Sequence, residues 1–159
     1  MKKFTIKLRT GLSVLFCTSL MAFSFPSDMM EETVFVQNML KEHYDELAVK
    51  PTLKKYELNV TNSGFCRYKR FYTGGKVEYF SFNFCKFKDI DYLGSDKAGM
   101  LILRTVGDDV IVQTYNDRKG DVDSMANYMS IPLKNVEAEA LSALSERFVR
   151  MNAHLLAQK

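Results

Sequence analysis

The stretch FCRYKRFYTGGKVEYFSFNFCKF, residues 65–87, contains two runs rich in aromatic residues on either side of Gly74, Gly75 and Lys76. Aromatic residues at this density are typical of β-strands, and paired glycines between two such runs indicate a tight turn. We therefore predict a β-hairpin here. Its turn decides which side chains share a face, because successive strand residues point to opposite faces.

The register of this hairpin predicts that Cys66 and Cys85 lie close together. If Gly75 and Lys76 form a two-residue turn, the two cysteines face each other directly; if Gly74 and Gly75 form it, they lie diagonally on one face. Directly opposed strand residues have α-carbons about 4.5–5.5 Å apart, which suits a disulfide. We predict a Cys66–Cys85 disulfide, with two buried, reduced thiols as the alternative.

The same register predicts one tyrosine-rich face and one phenylalanine-rich face. Tyrosine and arginine combine contact area with hydrogen bonding and are typical of binding surfaces. We therefore predict a binding surface on the first face, with the alternative that its tyrosines pack beneath a helix. The predicted binding residues are Tyr68, Arg70, Tyr72 and Tyr79, while Arg67 and Lys69 fall at the edge of the opposite, core-facing side with Phe80, Phe82 and Phe84.

Helical periodicity flanks the strands on both sides. Apolar residues at spacings of three and four predict helices over residues 28–48 and 135–157, with Asp28 and Asn135 as caps. The two stripes are Met29, Thr33, Val36, Leu40, Tyr44 and Leu47, and Leu141, Leu144, Phe148, Met151 and Leu155. Each helix has one apolar side, so each requires a sheet face or the other helix as a partner.

Strand patterns account for much of the chain between the helices. We predict strands at residues 53–61, 65–73, 77–87, 100–106, 110–115 and 128–133, a polar loop at 89–97, and a second hairpin around 107–109. Pro132 restricts the last strand to an edge or an end.

The fold class is α+β: an N-terminal helix, an antiparallel meander of five or six strands, and a C-terminal amphipathic helix. Two layouts are open. One is a sheet wrapped on helices, similar to cystatin-like or nuclear-transport-factor-like folds; the other is a barrel closed by a helix, similar to pleckstrin-homology-like domains.

The N-terminus has the pattern of a secretion signal. Residues 1–9 carry four positive charges and no negative one, and residues 11–23 run without a charge. We expect cleavage near Ser24, leaving residues 25–159 as one exported domain without a membrane span, periplasmic or secreted. Of 22 basic and 19 acidic residues, four basic ones lie in residues 1–24, so the remainder carries a net charge of −1. Nothing global therefore favours nucleic acid as a partner.

No catalytic or metal-binding motif stands out. The histidines, His43 and His154, lie on different predicted helices, and the acidic loop at residues 116–123 lacks the spacing of a calcium loop. We expect no metal and no cofactor. The leading hypothesis is a non-enzymatic protein of the bacterial envelope that binds another envelope or extracellular protein. The alternatives are a carrier whose Phe80, Phe82 and Phe84 line a cavity for a small apolar ligand, and an unrecognised enzyme.

Overall fold

The computed structural model describes residues 29–158. Within this range, two helices flank eight strands, and short 3-10 helices occupy Glu46–Ala48 and Phe84–Lys86. The elements are α1 (Met29–His43), β1 (Leu53–Val60), β2 (Phe65–Tyr72), β3 (Val77–Asn83), β4 (Phe87–Gly94), β5 (Ala98–Thr105), β6 (Val110–Tyr115), β7 (Asp123–Ala126), β8 (Tyr128–Lys134) and α2 (Ala138–Ala157). The predicted α+β order of helix, antiparallel strands and helix is confirmed.

The strands form two open sheets rather than one meander of five or six strands. One sheet has the order β1-β2-β3-β6-β7 and the other has the order β4-β5-β8. Neither the single meander nor the closed barrel of the pleckstrin-homology-like layout describes this arrangement. Pro132 lies on β8, an edge strand, as predicted.

The second predicted hairpin is wrong. β5 pairs with β4 and β8, whereas β6 pairs with β3 and β7, so residues 106–109 carry the chain from one sheet to the other. The predicted loop at residues 89–97 is also wrong, because most of it belongs to β4. β4 is an edge strand whose Asp89 and Asp91 remain half-exposed, and Arg104 of β5 pairs with Asp91 at 2.7 Å. A solvated edge tolerates the polar residues that suggested a loop.

The helices bury the stripes that the sequence predicted, with corrections at their ends. Leu144, Phe148 and Met151 of α2 are fully buried. α1 ends at His43, so Leu47 falls in the following 3-10 helix and is 81% exposed. Asn135 does not cap α2, since the helix begins after Glu137 and Asn135 has a φ of 52°. Asp28 and the proposed signal at residues 1–24 lie outside the described residues.

Aromatic rings fill the region where α2 meets the strands. The rings of Phe84 and Phe148 stack with centroids 4.9 Å apart, Phe87 lies 5.4 Å from Phe148, and Phe82 meets Phe84 edge-on at 5.0 Å. Such pairs add about 0.5–1.5 kcal/mol each beyond the burial of their surface. Phe82 and Phe84 therefore belong to the packed core.

A buried carboxylate joins the two helices. Glu32 of α1 is 1% exposed, and its two carboxylate oxygens accept hydrogen bonds from Arg147 (2.9 Å) and Arg150 (2.8 Å) of α2. Burial opposes the charged form, but the two arginines outweigh it, so the pKa of Glu32 lies below its usual value.

Within residues 29–158, neither helix is long and apolar enough to cross a bilayer.

Candidate functional site

The β2–β3 turn contains three residues, which changes the faces predicted for the hairpin. The Tyr72 amide donates to the Lys76 carbonyl (2.9 Å), the Gly75 amide donates to the Tyr72 carbonyl (3.0 Å), and Gly75 has a φ of 89°. This geometry is a type I turn followed by a left-handed glycine. Cys66 therefore lies opposite Phe82 rather than opposite Cys85. Both predicted registers are wrong, because a two-residue turn places the opposite set of β3 side chains on each face.

The structure separates the four predicted binding residues. Tyr68 (0% exposed) and Tyr72 (5%) are buried on the inner face, and Arg70 lies on the same face with a side chain that is 19% exposed. Tyr79 is on the outward face, opposite Lys69. Tyr68 and Tyr72 thus pack inside the protein, and of the three tyrosines only Tyr79 lies on the outward face of the sheet.

On the inner face, the polar ends of these residues form a network of ion pairs and hydrogen bonds. Arg70 Nε lies 3.1 Å from a Glu78 carboxylate oxygen, and the Tyr72 hydroxyl donates to the same carboxylate at 2.7 Å. Lys76 pairs with Glu78 (2.9 Å) and with Asp117 (2.7 Å). Burial and the bond to Glu78 raise the pKa of Tyr72 to about 12. Burial disfavours the Glu78 carboxylate, but its bonds to Lys76 and Tyr72 prevail and lower its pKa. The network ties the β2–β3 turn to the β6–β7 loop.

The outward face of the five-stranded sheet has a continuous row of polar side chains. The strand registers place one residue from each strand in line across the sheet. In strand order, the row is Glu57, Lys69, Tyr79, Gln113 and Asp123. Such cross-strand neighbours are close enough for their side chains to interact.

Four side chains of this row and three beside it line a shallow groove of about 410 Å³. Its lining residues come from β1, β2, β3 and β6: Glu57, Asn59, Arg67, Lys69, Tyr79, Gln113 and Tyr115. Asn59, Arg67 and Tyr115 are exposed, and Ile111 (37%) and Met125 (51%) add exposed apolar surface on the same face. The helices and the second sheet leave this face accessible.

The sequence interpretation missed Arg67 and Lys69, which it had placed at the edge of the core. Both side chains point outward, at alternate positions of β2. A signal was present, since two cations at alternate positions of a strand indicate a solvated face. The assumed two-residue turn, however, placed these two cations on the same face as Phe80, Phe82 and Phe84, which suggested the core side of the sheet.

The structure contains no disulfide between Cys66 and Cys85. Cys66 is fully buried opposite Phe82, whereas Cys85 follows the end of β3, in a 3-10 helix. Burial raises the pKa of the Cys66 thiol to about 12. The direct opposition that suggested a bridge is absent.

The candidate residues for catalysis and metal binding lie apart from one another. His43 Nδ1 is 3.1 Å from the Lys134 carbonyl oxygen, and His154 Nε2 is 2.6 Å from the Gln158 amide nitrogen. Neither contact places a histidine ring beside a carboxylate or a hydroxyl nucleophile. In the described part of the chain, no three His, Cys, Asp or Glu side chains are grouped to hold a metal ion.

Comparison with protein-family models, with curated proteins and with solved structures found no match to this chain. The site's interpretation therefore depends on its own geometry. That geometry offers an exposed, mixed polar and aromatic sheet face with a shallow groove.

Proposed function

We propose that this protein is an exported, non-enzymatic binding protein of the bacterial envelope that contacts another protein through the outward face of the five-stranded sheet. The main support is that this face presents the polar row and its groove to solvent, whereas the helices do not cover it. Broad, shallow, mixed surfaces suit protein partners, whereas small apolar ligands require concave apolar cavities.

The aromatic residues support this proposal over the carrier alternative. Phe82 (2% exposed) and Phe84 (0%) contact each other and the aromatic core. Phe80 lies beside Tyr68, with the Arg70 guanidinium 4.7 Å from its ring centroid. These rings are engaged by protein groups, so they do not supply the apolar lining that a carrier needs.

Site-specific photo-crosslinking in the native cell tests the proposed surface. The crosslinking residue replaces Asn59 or Ile111 on the outward face, and Glu146 on the exposed side of α2 serves as the control. We expect one adduct of the same mass from both outward positions and none from the control. Absence of adducts at Asn59 and Ile111, or equal capture at Glu146, contradicts the proposal.

The export part of the proposal has a separate test. It is supported by the charged start and uncharged run of residues 1–23, which have the pattern of a secretion signal. The protein is recovered from periplasmic, external and cytoplasmic fractions, and its N-terminus is read by mass spectrometry. We expect the envelope or external form to begin near residue 25. A cytoplasmic protein that retains residue 1 contradicts export.

A further inference from the structure

We infer that the groove on the outward face binds an extended acidic segment of the partner protein, one with carboxylates at alternate positions. This inference depends on the proposed function and specifies the chemistry of its partner. It rests on three features of Arg67 and Lys69: both lack a salt bridge to any described residue, both lie over aromatic rings on the outward face, and they are two residues apart on one strand.

Among the described residues, Arg67 and Lys69 lack the close ion pairs that Lys55, Arg70 and Lys76 of this sheet and its turn form. Lys55 pairs with Glu57 at 2.7 Å, Arg70 with Glu78 at 3.1 Å, and Lys76 with Asp117 at 2.7 Å. Within residues 29–158, no carboxylate lies within ion-pair distance of Arg67 or Lys69. The groove thus presents two cations without a salt bridge, although Glu57, which pairs with Lys55, also interacts electrostatically with Lys69 from the opposite strand position.

Aromatic rings hold both cations over the sheet. Lys69 Nζ is 5.3 Å from the centroid of the Tyr79 ring, and Arg67 Cζ is 5.0 Å from that of Phe65. Cation–π contacts at exposed sites contribute about 0.5–1 kcal/mol, enough to restrict side chains that would otherwise move freely. Asn59, directly opposite Arg67, adds an exposed amide that is able to bond to a peptide backbone. Partly ordered donors lose less entropy when a ligand binds.

The spacing of the two cations fits an extended chain. They are two residues apart on one strand, a distance of about 6.6–6.8 Å. A peptide lying along β2 in an extended conformation repeats its side chains at the same interval, so carboxylates at alternate positions meet Arg67 and Lys69 together. Carboxylates three residues apart point to opposite sides of such a peptide and meet only one cation at a time.

The acid residues of this face argue against a nucleic-acid occupant. Glu57 and Asp123 lie in the same row as Lys69, and residues 25–159 carry a net charge of −1. A polyphosphate chain requires a run of cations along its backbone, and its affinity comes largely from them. A short acidic peptide requires only two neighbouring cations, which Arg67 and Lys69 provide.

Titration followed by nuclear magnetic resonance tests the inference on the isotope-labelled full chain. The probes are the peptide GSESESESG, its neutral counterpart GSQSQSQSG, and GESSESSEG, which has the composition of the first but glutamates three residues apart. We expect the alternating peptide to shift the amides of Arg67, Lys69 and Tyr79, with a dissociation constant at least tenfold lower than for either control peptide. Raising the salt concentration weakens this binding, because the contacts are exposed.

Two charge-matched variants locate the binding site. R67Q/K69Q removes the unpaired cations, and K88Q/K97Q removes two exposed charges from the β4 side of the molecule. We expect at least a tenfold loss of affinity in the first variant and less than a twofold change in the second, both with native spectra. Equal binding by R67Q/K69Q, equal binding of the neutral peptide or of the peptide with glutamates three residues apart, or tighter binding of the oligonucleotide dT₉ at the same amides overturns the inference. If crosslinking from Asn59 and Ile111 persists in that case, the proposed surface stands and only its partner chemistry is wrong.

Discussion

The hydroxyl oxygens of Tyr44 and Tyr68 lie 2.6 Å apart in the core, where the two residues are 4% and 0% exposed. The Tyr44 ring also stacks on Tyr56 of β1, with centroids 3.8 Å apart. Burial raises the pKa of both hydroxyls, so one neutral phenol donates to the other. This contact joins the end of α1 to the inner face of the sheet, on the side opposite the proposed binding face.

Removing either hydroxyl leaves the other buried without this partner. We expect Y44F and Y68F each to lower the free energy of unfolding by about 1–2 kcal/mol. The double variant is expected to cost less than the sum of the two, since no polar group is then stranded. Urea unfolding followed by circular dichroism measures all four proteins. Additive losses contradict a direct bond between the hydroxyls.

The buried Glu32 predicts an acid-sensitive link between the helices. Its pKa is lowered in the folded protein, so its contribution is fully present above the unfolded value of about 4.3 and is lost as pH falls through the folded value. We expect E32Q to cost about 2 kcal/mol at pH 7, because the arginines lose their charged partner. The cost shrinks on going from pH 7 to pH 3, because the unfolded carboxyl then binds protons more readily than the folded one.

The neighbouring Glu31 provides the control for this prediction. It lies 3.2 Å from Arg147, but its side chain is 70% exposed. Exposed pairs contribute about 0–1 kcal/mol, so E31Q is expected to change stability by less than 0.5 kcal/mol. Unfolding curves at several pH values compare the three proteins. A loss for E32Q that stays constant from pH 7 to pH 3 contradicts the assignment.

The three-residue turn makes opposite predictions for two adjacent glycines. Gly75 has a φ of 89°, a left-handed conformation that side chains disfavour, although its surroundings are open. We expect G75A to destabilise the protein by about 1 kcal/mol. Gly74 lacks this constraint and is equally open, so G74A is expected to be neutral or slightly stabilising. Thermal unfolding distinguishes the two, and equal effects contradict the assigned turn.

This turn also shows how far the sequence alone reaches. The strands at Phe65–Tyr72 and Val77–Asn83 were predictable from their aromatic residues, but one extra turn residue exchanged the faces of β3 relative to β2. Hydrophobic alternation does not distinguish two faces that both have aromatic and charged residues. Predicting the polar row requires the pairing registers of five strands, so the sequence alone did not reveal it.

Long-range pairing was the other obstacle. The segments that became β5 and β6 resemble a hairpin locally, with turn residues between two apolar runs. β5 pairs instead with the neighbouring β4 and the distant β8, and β6 pairs with the neighbouring β7 and the distant β3, a choice made by packing of the whole core. The helix stripes were predictable because their periodicity is local, as the burial of Leu144, Phe148 and Met151 confirms.

The position of Cys66 predicts an unreactive thiol. It is fully buried, and its pKa is raised to about 12, so almost no thiolate forms at pH 8. We expect maleimide labelling of Cys66 to be at least a hundredfold slower in the native protein than in urea, with sites assigned by peptide mass spectrometry. Rapid native labelling contradicts this burial. If maleimide does not label Cys66 in urea without reductant, the thiol is oxidised, as the predicted disulfide requires.

The side chain of Gln37 covers the edge of β1. Its amide nitrogen donates to the Leu58 carbonyl at 2.9 Å, and its amide oxygen accepts from the Val60 amide at 2.7 Å. A side-chain amide thereby occupies positions that an additional strand would take. Uncovered edges invite pairing with other chains, so this contact favours binding through the sheet face over binding through the β1 edge.

Replacing Gln37 with alanine removes both hydrogen bonds at this edge. We expect Q37A to lower the free energy of unfolding by about 1–2 kcal/mol, and exchange of the Val60 amide with deuterium to accelerate at least tenfold. N38A is the matched control, because Asn38 is the exposed neighbour on the same helix. Hydrogen exchange resolved by residue separates local opening at Val60 from global unfolding, since only global unfolding accelerates the core amides of β2 equally. Unchanged exchange at Val60 in Q37A shows that another group protects this edge.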